Sequence, residues 1–201
     1  MNTDFRVLEN LNRYRVVLAS NSPRRRELLA GLGLTFEVRT LQNIDESYPA
    51  TLRGKEIAEH ISGKKAAAYR EAMAADELII TADTIVCCDG KVLGKPADTD
   101  EACAMLRTLS GREHEVITGV TVLTSERCEC FSVTSGVLFA ELSDEEIDFY
   151  VRQFQPLDKA GAYGIQELGA LLVEGIDGDY YNVMGLPVGR LYRLMKSLSI
   201  I

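Results

Sequence analysis

Short apolar runs alternate with segments of helical spacing along the 201 residues of this chain. Apolar runs of four to eight residues are typical of buried strands, whereas apolar positions three and four apart indicate helices. The pattern predicts strands at 16–19, 78–81, 115–123 and 130–139. It predicts helices after Ser22, over 54–75, after Asp98, after Ser143 and after Pro187.

Local signals support several of these elements. Ser22 followed by Pro23 is typical of a helix start, with the serine as N-cap and the proline in the first turn. Leu28, Leu29 and Leu32 then share one face, and Gly31 or Gly33 ends the helix. Two pairs have the spacing of a capping box, Asp98 with Glu101 and Ser143 with Glu146.

Two Asp-Gly pairs predict tight hairpins, because this dipeptide suits a type I′ turn. Asp89-Gly90 joins 85–88 to 91–93, and Asp177-Gly178 joins 171–176 to 180–184. Gly136 inside a strand predicts a β-bulge. Hairpins mixed with helices favour a mixed sheet over a purely parallel one, so we expect a single α/β unit.

Composition and charge narrow the function. The chain is 46% hydrophobic, which is enough for one sizeable core or for two lobes around a cleft. Its net charge of −8 disfavours nucleic-acid binding. No apolar stretch is long enough to span a membrane, and charges interrupt residues 1–15 where a secretory signal would be apolar. We therefore expect a cytoplasmic protein, whose five cysteines are reduced and mostly buried.

A basic segment between the first strand and the first helix is one candidate site. Ser20 and Ser22 supply hydroxyls there, while Arg24 and Arg25 supply fork-shaped cationic donors that suit phosphate oxygens. A helix N-terminus also favours an anion. The alternative is an ordinary capped helix with a solvated basic face. Three consecutive arginines cannot all face one way on a helix, so we expect one or two of them to point to solvent, and Arg26 is assigned no role.

Asp83 interrupts two apolar runs. An unpaired carboxylate in such a place is costly, so it needs a partner or a function. A metal-binding or catalytic role would explain it. An aspartate at a strand end, satisfied by backbone N–H groups, would explain it equally well.

Other polar residues are weaker candidates. Glu46, Lys65 and Lys95 are each typical of solvated surface when considered alone. The segment 158–166 is rich in small residues and ends at Gln166, whose amide can both donate to and accept from a base edge; it also fits an ordinary connection. His60 and His114 are each isolated, which indicates structural or surface roles.

Taken together, these segments resemble the Maf family of nucleotide pyrophosphatases. The resemblance covers almost the whole chain after residue 15, so residues 1–15 are treated as an N-terminal extension and 16–201 as a single domain. It is carried by six motifs: 18–25 (LASNSPRR), 82–86 (ADTIV), 94–96 (GKP), 118–120 (TGV), 158–166 (DKAGAYGIQ) and 182–187 (NVMGLP).

This resemblance implies a fold and an activity. The fold would be an elongated mixed sheet with flanking helices and two lobes around a cleft, as in Maf and ITPase-like proteins. The activity would be hydrolysis of a nucleoside triphosphate to the monophosphate and pyrophosphate. Asp83 matches the family's general base; Arg24, Thr84 and Gln166 match positions of the branch that acts on dTTP and UTP; Glu46, Lys65 and Lys95 match other active-site positions.

As a mechanistic hypothesis, Glu46 and Asp83 hold Mg²⁺ or Mn²⁺, partly through waters. The cations Arg24, Arg25, Lys65 and Lys95 neutralise the triphosphate.

Three other functions are alternatives to this one: a pyrophosphatase for 7-methyl-GTP or modified nucleotides, a nucleotide-binding regulator of septation without turnover, and a non-enzymatic interaction domain. The family resemblance is compatible with a homodimer, which no residue pattern indicates.

Overall fold

The computed structural model describes residues 6–198. Within that range the chain forms seven strands: β1 (Arg15–Leu18), β2 (Phe36–Val38), β3 (Glu77–Cys88), β4 (Lys91–Leu93), β5 (Glu113–Leu123), β6 (Cys128–Phe139) and β7 (Val173–Asp177). Its described α-helices are α1 (Pro23–Ala30), α2 (Lys55–Tyr69), α3 (Thr99–Leu109), α4 (Asp144–Phe154), α5 (Tyr180–Met184) and α6 (Val188–Ser197). Short 3-10 segments cover Arg6–Arg13, Pro156–Asp158, Ala160–Ala162 and Glu167–Leu172.

All seven strands belong to one mixed sheet, which confirms the predicted fold class. The order is β2-β1-β3-β5-β6-β7, and the short β4 pairs with β3. Strand β1 is parallel to β2 and to β3, whereas the remaining pairs are antiparallel.

Strand β3 has one fully paired edge and one interrupted edge. Strand β5 pairs with it from Ile79 to Cys87. On the other edge, β1 pairs only as far as Ile80, and β4 begins to pair only at Val86. Residues 81–85 therefore face a gap between two neighbouring strands, and this gap is where the sheet opens.

Two lobes form on one face of the sheet. Near β1, a hydrophobic core joins α1 and α6 to the sheet and also buries Leu8 and Leu11 of the N-terminal segment. Near β4, a second core joins α3 and α4 to the far halves of β5 and β6. Helix α2 packs on the opposite face against β3 and β5. The sheet is thus shared, while the two lobes have separate cores.

The predicted caps and the first hairpin are confirmed. Side chains of Ser22, Asp98 and Ser143 each accept a hydrogen bond from the backbone N–H three residues later. The box at Ser143 is reciprocal, whereas Glu101 accepts from the N–H of Ala97 instead of that of Asp98. Positive φ values at Asp89 and Gly90 fit the type I′ turn between β3 and β4.

The second predicted hairpin is wrong, because residues 180–184 form helix α5 instead of a strand. The Asp179 side chain accepts a hydrogen bond from the N–H of Tyr181, which starts the helix. The buried amide of Asn182 then donates to the carbonyl of Val116 and to the Ser135 hydroxyl. These long-range bonds favour the helical conformation over continued pairing.

Three smaller expectations are also corrected. Residue Asp83 lies within the continuous strand β3 and not at a strand break, because the ladder to β5 runs past it. The helix predicted over 54–75 ends at Tyr69. The β5–β6 register passes Gly136 without a bulge; the irregularity lies at Leu138/Phe139, where β6 meets β7.

The cysteines match the expectation only in part. All five are free thiols, as predicted. Cys87 and Cys88 are buried and Cys103 is half-buried, but Cys128 and Cys130 are exposed. Both exposed thiols lie near the start of β6, at one end of the sheet.

Close packing of α2 on β5 generates a testable prediction at Gly119. A Cβ added to this glycine would lie 2.3 Å from the backbone carbonyl carbon and oxygen of Ala58, so α2 would have to move. We expect Gly119→Ala to lower the free energy of unfolding by about 1–3 kcal/mol or more, the usual range for overpacking. Urea denaturation measures this change.

The matched control is Gly175→Ala, since Gly175 also lies in a strand and an added Cβ there meets nothing within 4 Å. Equal stability changes in the two variants would contradict the packing argument.

Candidate active site

A cleft of about 410 Å³ opens beside the interrupted edge of β3. Residues from both lobes line it, including those at the N-terminus of α1, on α2, after β4 and in the segment 158–165. Nine of the residues singled out in the sequence are among them: Ser20, Ser22, Arg24, Arg25, Glu46, Lys65, Asp83, Thr84 and Lys95.

An acidic pair bridged by one ammonium group lies in this cleft. The Asp83 carboxyl group belongs to a residue that is only 9% exposed, and its Oδ1 accepts a hydrogen bond of 2.7 Å from Lys65 Nζ. The same ammonium lies 3.1 Å from Glu46 Oε1. Helix α2 therefore supplies the partner that a carboxylate on a buried strand requires. Asp83 lies inside β3, and within residues 6–198 no backbone N–H donates to its carboxylate, so neither feature of the alternative interpretation is found there.

Arg25 braces the cleft through protein contacts. Its Nε donates to the Gly185 carbonyl at 2.8 Å, and Nη1 donates to the Ala82 carbonyl at 2.9 Å and, more weakly, to the Ser20 hydroxyl at 3.5 Å. Its Nη2 donates to the Thr84 hydroxyl at 3.0 Å. Burial lowers the pKa of this guanidinium from its ordinary value, and the nearby Asp83 carboxylate opposes that shift. Most donors of Arg25 are thus committed to three parts of the fold.

Two residues that match positions of the dTTP/UTP branch, Thr84 and Gln166, lie in different settings. The Thr84 hydroxyl lines the cleft and, besides accepting from Arg25, shares a hydrogen bond of 2.9 Å with Thr118. Gln166 is half-buried and follows the lining residue Ile165, but it is not itself among the described residues that line the cleft. The arrangement therefore brings Thr84, but not Gln166, to the cavity wall.

Other cleft cations differ in their surroundings. The exposed Lys95 follows β4, and no residue in the described range 6–198 forms an ion pair with it. Arg24 lies 3.5 Å from Asp158, and Lys159 lies 2.6 Å from the same carboxylate. Asp158 and Lys159 were not singled out as charged site residues, because their role depends on a loop position that local spacing does not specify.

The donor set limits the metal that this cleft could hold. Across residues 6–198, no group of three or more His, Cys, Asp or Glu side chains is placed to bind a metal ion. The two carboxylates of Glu46 and Asp83 are hard oxygen donors on either side of Lys65. Such a pair fits Mg²⁺ or Mn²⁺, which retain several waters and use substrate phosphates as ligands.

His114 lies outside the lining and belongs to the core below it. Its Nε2 lies 2.7 Å from the Tyr163 hydroxyl, and both rings pack edge-on against Phe139. Burial lowers the pKa of His114 to about 4, so the ring is neutral at pH 7. His114 therefore has the structural role expected from its isolation, and it supports a tyrosine that lines the cleft.

Tyr69 is a cleft residue that sequence reasoning missed. It lies one helical turn after Lys65 on α2 and is 3% exposed. Its hydroxyl donates to the Arg39 carbonyl at 2.9 Å and accepts from the N–H of Leu41 at 3.0 Å. These bonds fasten the start of the irregular segment that carries Glu46. No local sequence pattern predicts these hydrogen bonds, because they join residues about thirty positions apart.

Comparisons with known proteins agree with this architecture. Residues 15–198 match the family model described as Maf-like protein. A protein of Phocaeicola vulgatus named dTTP/UTP pyrophosphatase is 58% identical over 193 residues, covering 96% of this chain and 100% of that protein. Relatives of the same name from Parabacteroides distasonis and Bacillus velezensis are 56% and 46% identical, covering 94% and 92% of this chain and 99% and 97% of those proteins.

Among solved structures, the Staphylococcus aureus Ham1 protein has the same fold. It aligns with a TM-score of 0.50 at 14% identity, covering 92% of this chain and 99% of that chain. At this level of identity the similarity concerns the fold alone. Within residues 6–198, no helix has the length and apolar character needed to cross a membrane.

The position of Tyr69 generates a prediction about the segment that carries Glu46. Tyr69→Phe removes one oxygen and leaves the Leu41 N–H and the Arg39 carbonyl without that partner. We expect faster hydrogen exchange at the Leu41 amide and a loss of about 1–3 kcal/mol in the free energy of unfolding. Residue-resolved exchange and urea denaturation measure these changes.

Tyr192→Phe is the control, because no described residue hydrogen-bonds to the hydroxyl of Tyr192 and its ring packs against the first core. Unchanged protection at Leu41 in Tyr69→Phe would show that the hydroxyl does not hold the segment.

Proposed function

Because this chain belongs to the Maf family, we propose that it hydrolyses nucleoside triphosphates, dTTP and UTP among them, to the monophosphate and pyrophosphate. Its relatives named dTTP/UTP pyrophosphatase match it over nearly their whole length. The observation that carries the proposal within this chain is the Asp83 carboxylate. It is held by Lys65 at the unpaired edge of β3 and lines the cleft together with Arg24 and Lys95.

The reaction is a displacement at the α-phosphorus. Water forms the new P–O bond while the bond to the bridging oxygen breaks, and pyrophosphate leaves with the negative charge. Asp83 orients the water and accepts its proton, and Lys65 fixes the direction of that carboxylate through the 2.7 Å hydrogen bond. Most of the acceleration comes from positioning and from cations near the developing charge.

Charge stabilisation falls to the cations on the cleft walls. Arg24 approaches from the N-terminus of α1, and Lys95 approaches from the turn after β4. Arg25 acts mainly by holding α1 to β3 and to Gly185, since most of its donors already have protein acceptors. Ser20 and Ser22 add hydroxyls beside the same helix N-terminus.

A divalent cation is part of the proposal. Glu46 and Asp83 are the residues that would hold Mg²⁺ or Mn²⁺, which when bound would neutralise phosphate charge and polarise the reacting group. The two carboxylates supply hard oxygen donors, and Lys65 keeps both of them in the cleft.

Base selection is assigned to Thr84 and Gln166. A polar site that hydrogen-bonds one base discriminates strongly, because another base leaves buried groups unpaired. Thr84 already contacts the cleft, and Gln166 follows the lining residues Tyr163, Gly164 and Ile165. A movement of the segment 163–166 would bring the Gln166 amide to the base.

A net charge of −8 disfavours binding to nucleic acid, and the proposed setting is action on free nucleotides in the cytoplasm. A homodimer is compatible with the family.

Pyrophosphate release from a panel of nucleoside triphosphates, with and without Mg²⁺ or Mn²⁺, tests the activity. A protein that binds dTTP or UTP but releases no pyrophosphate would be a nucleotide-binding regulator instead.

Asp83→Asn tests the proposed base. The substitution keeps the size of the side chain, and Glu46 remains as an ion-pair partner for Lys65. We expect a folded protein whose turnover is lower by at least about a hundredfold, the low end for a positioned acid–base group. Near-normal pyrophosphate release would refute the assignment, and circular dichroism checks that the fold is retained.

Gln166→Glu tests base reading. The carboxylate loses the amide donors, so we expect discrimination between pyrimidine and purine triphosphates to weaken more than metal binding does. The measurement is the ratio of kcat/KM values across the nucleotide panel. Gln153→Glu adds the same charge on the exposed face of α4 and is the matched control. An unchanged substrate profile in Gln166→Glu would count against this role.

A further inference from the structure

One carboxylate in the cleft holds two cations that belong to different lobes. Asp158 Oδ1 accepts a hydrogen bond of 2.6 Å from Lys159 Nζ, and Asp158 Oδ2 accepts one of 3.5 Å from Arg24 Nη1. Arg24 lies on α1, which packs into the core near β1. The segment that carries Asp158 and Lys159 packs into the other core through Leu157 and Ala160. The carboxylate therefore connects the two walls of the cleft.

Lys159 is directed into the cleft by its surroundings. Its side chain is 21% exposed, and its Cε and Cδ lie 3.1 and 3.3 Å from the position that a Cβ on Gly164 would occupy. The backbone N–H of Gly164 donates to the Tyr150 hydroxyl at 3.1 Å. The aliphatic stem of Lys159 thus lies along a stretch of backbone that a hydrogen bond holds in place, and Lys159 is among the residues that line the cleft.

Asp158 is charged but only loosely held. Partial burial raises the pKa of its carboxyl group, but the hydrogen bond and charge of Lys159, aided by Arg24, outweigh burial and lower it below its ordinary value. The side chain is 60% exposed. Exposed ion pairs contribute little, because water solvates both charges when they separate. A ligand with several negative charges would replace this carboxylate readily.

We propose that Lys159 is a further phosphate-binding residue of the site, and that Asp158 is an internal counter-ion which the triphosphate displaces from Lys159 and Arg24. This inference rests on the proposed function. The triphosphate supplies oxygens to cations on both walls, and the Asp158 side chain turns toward water. In this arrangement an acidic residue of the cleft weakens substrate binding, so its removal strengthens it.

The test compares Asp158→Asn with Lys159→Met by KM and kcat for dTTP and UTP. We expect Asp158→Asn to lower KM about two- to fivefold, the factor that matches the strength of an exposed ion pair. We expect Lys159→Met, which keeps an unbranched stem along Gly164, to raise KM about tenfold or more, as for loss of a charged hydrogen bond. In both variants kcat should change less than KM.

Asp89→Asn is the matched control for charge. It removes the same single charge from an ion pair with Arg112, in the turn between β3 and β4 and outside the cleft lining. Its KM should equal that of the unaltered protein. A lower KM in Asp89→Asn comparable to that in Asp158→Asn would overturn the inference, since net charge alone would then explain the effect.

Affinity for dTTP, measured by calorimetry without divalent metal, tests the inference independently of turnover. Tighter binding by Asp158→Asn together with weaker binding by Lys159→Met supports it. Unchanged or weaker binding by Asp158→Asn would overturn it, because the carboxylate would then position the cations instead of competing for them. Absence of pyrophosphate release by the unaltered protein would instead remove the proposed function.

Discussion

A carboxylate on a buried strand has to be paired, and the cleft is organised around the way this chain pairs Asp83. Apart from the half-buried Thr84, its neighbours in β3 are buried, so an isolated charge there would be costly. Lys65 on α2 provides the partner at 2.7 Å. That contact requires α2 to lie close to the sheet, and the missing side chain of Gly119 allows the backbone of α2 to approach. Strand, glycine and helix thus act together.

The interrupted edge of β3 explains why the paired carboxylate is also accessible. If β1 or β4 continued along β3, residues 81–85 would be covered by a neighbouring strand. Because both end short of this stretch, side chains and carbonyls of β3 remain open to the cleft. Arg25 takes up the Ala82 carbonyl and also holds Gly185, so the opening is braced from both sides. The sheet remains continuous through β5, and this continuity connects the two lobes.

Local signals predicted the parts of the fold that depend on local interactions. The N-caps at Ser22, Asp98 and Ser143 each involve residues three apart, and all were visible in the sequence. The predicted strand over 180–184 failed because the Asn182 amide bonds to residues 66 and 47 positions away. Several motifs in order identified the family, and nine of the residues singled out in the sequence line the cleft, whereas Gln166 does not. Spacing alone left Asp83 open between two interpretations, since it specifies no partner on another element.

Charge in this acidic protein is managed by pairing within the cleft. Lys65 serves Asp83 and Glu46, while Arg24 and Lys159 share Asp158; across residues 6–198, Lys95 is the cleft lysine that forms no ion pair. Cations paired in this way attract stray monovalent anions weakly, because each is already partly neutralised. A triphosphate is different, since its charges reach Arg24 and Lys159 at once and so replace both contacts of Asp158. Selectivity for a multiply charged ligand then follows from this exchange, before any contact with the base.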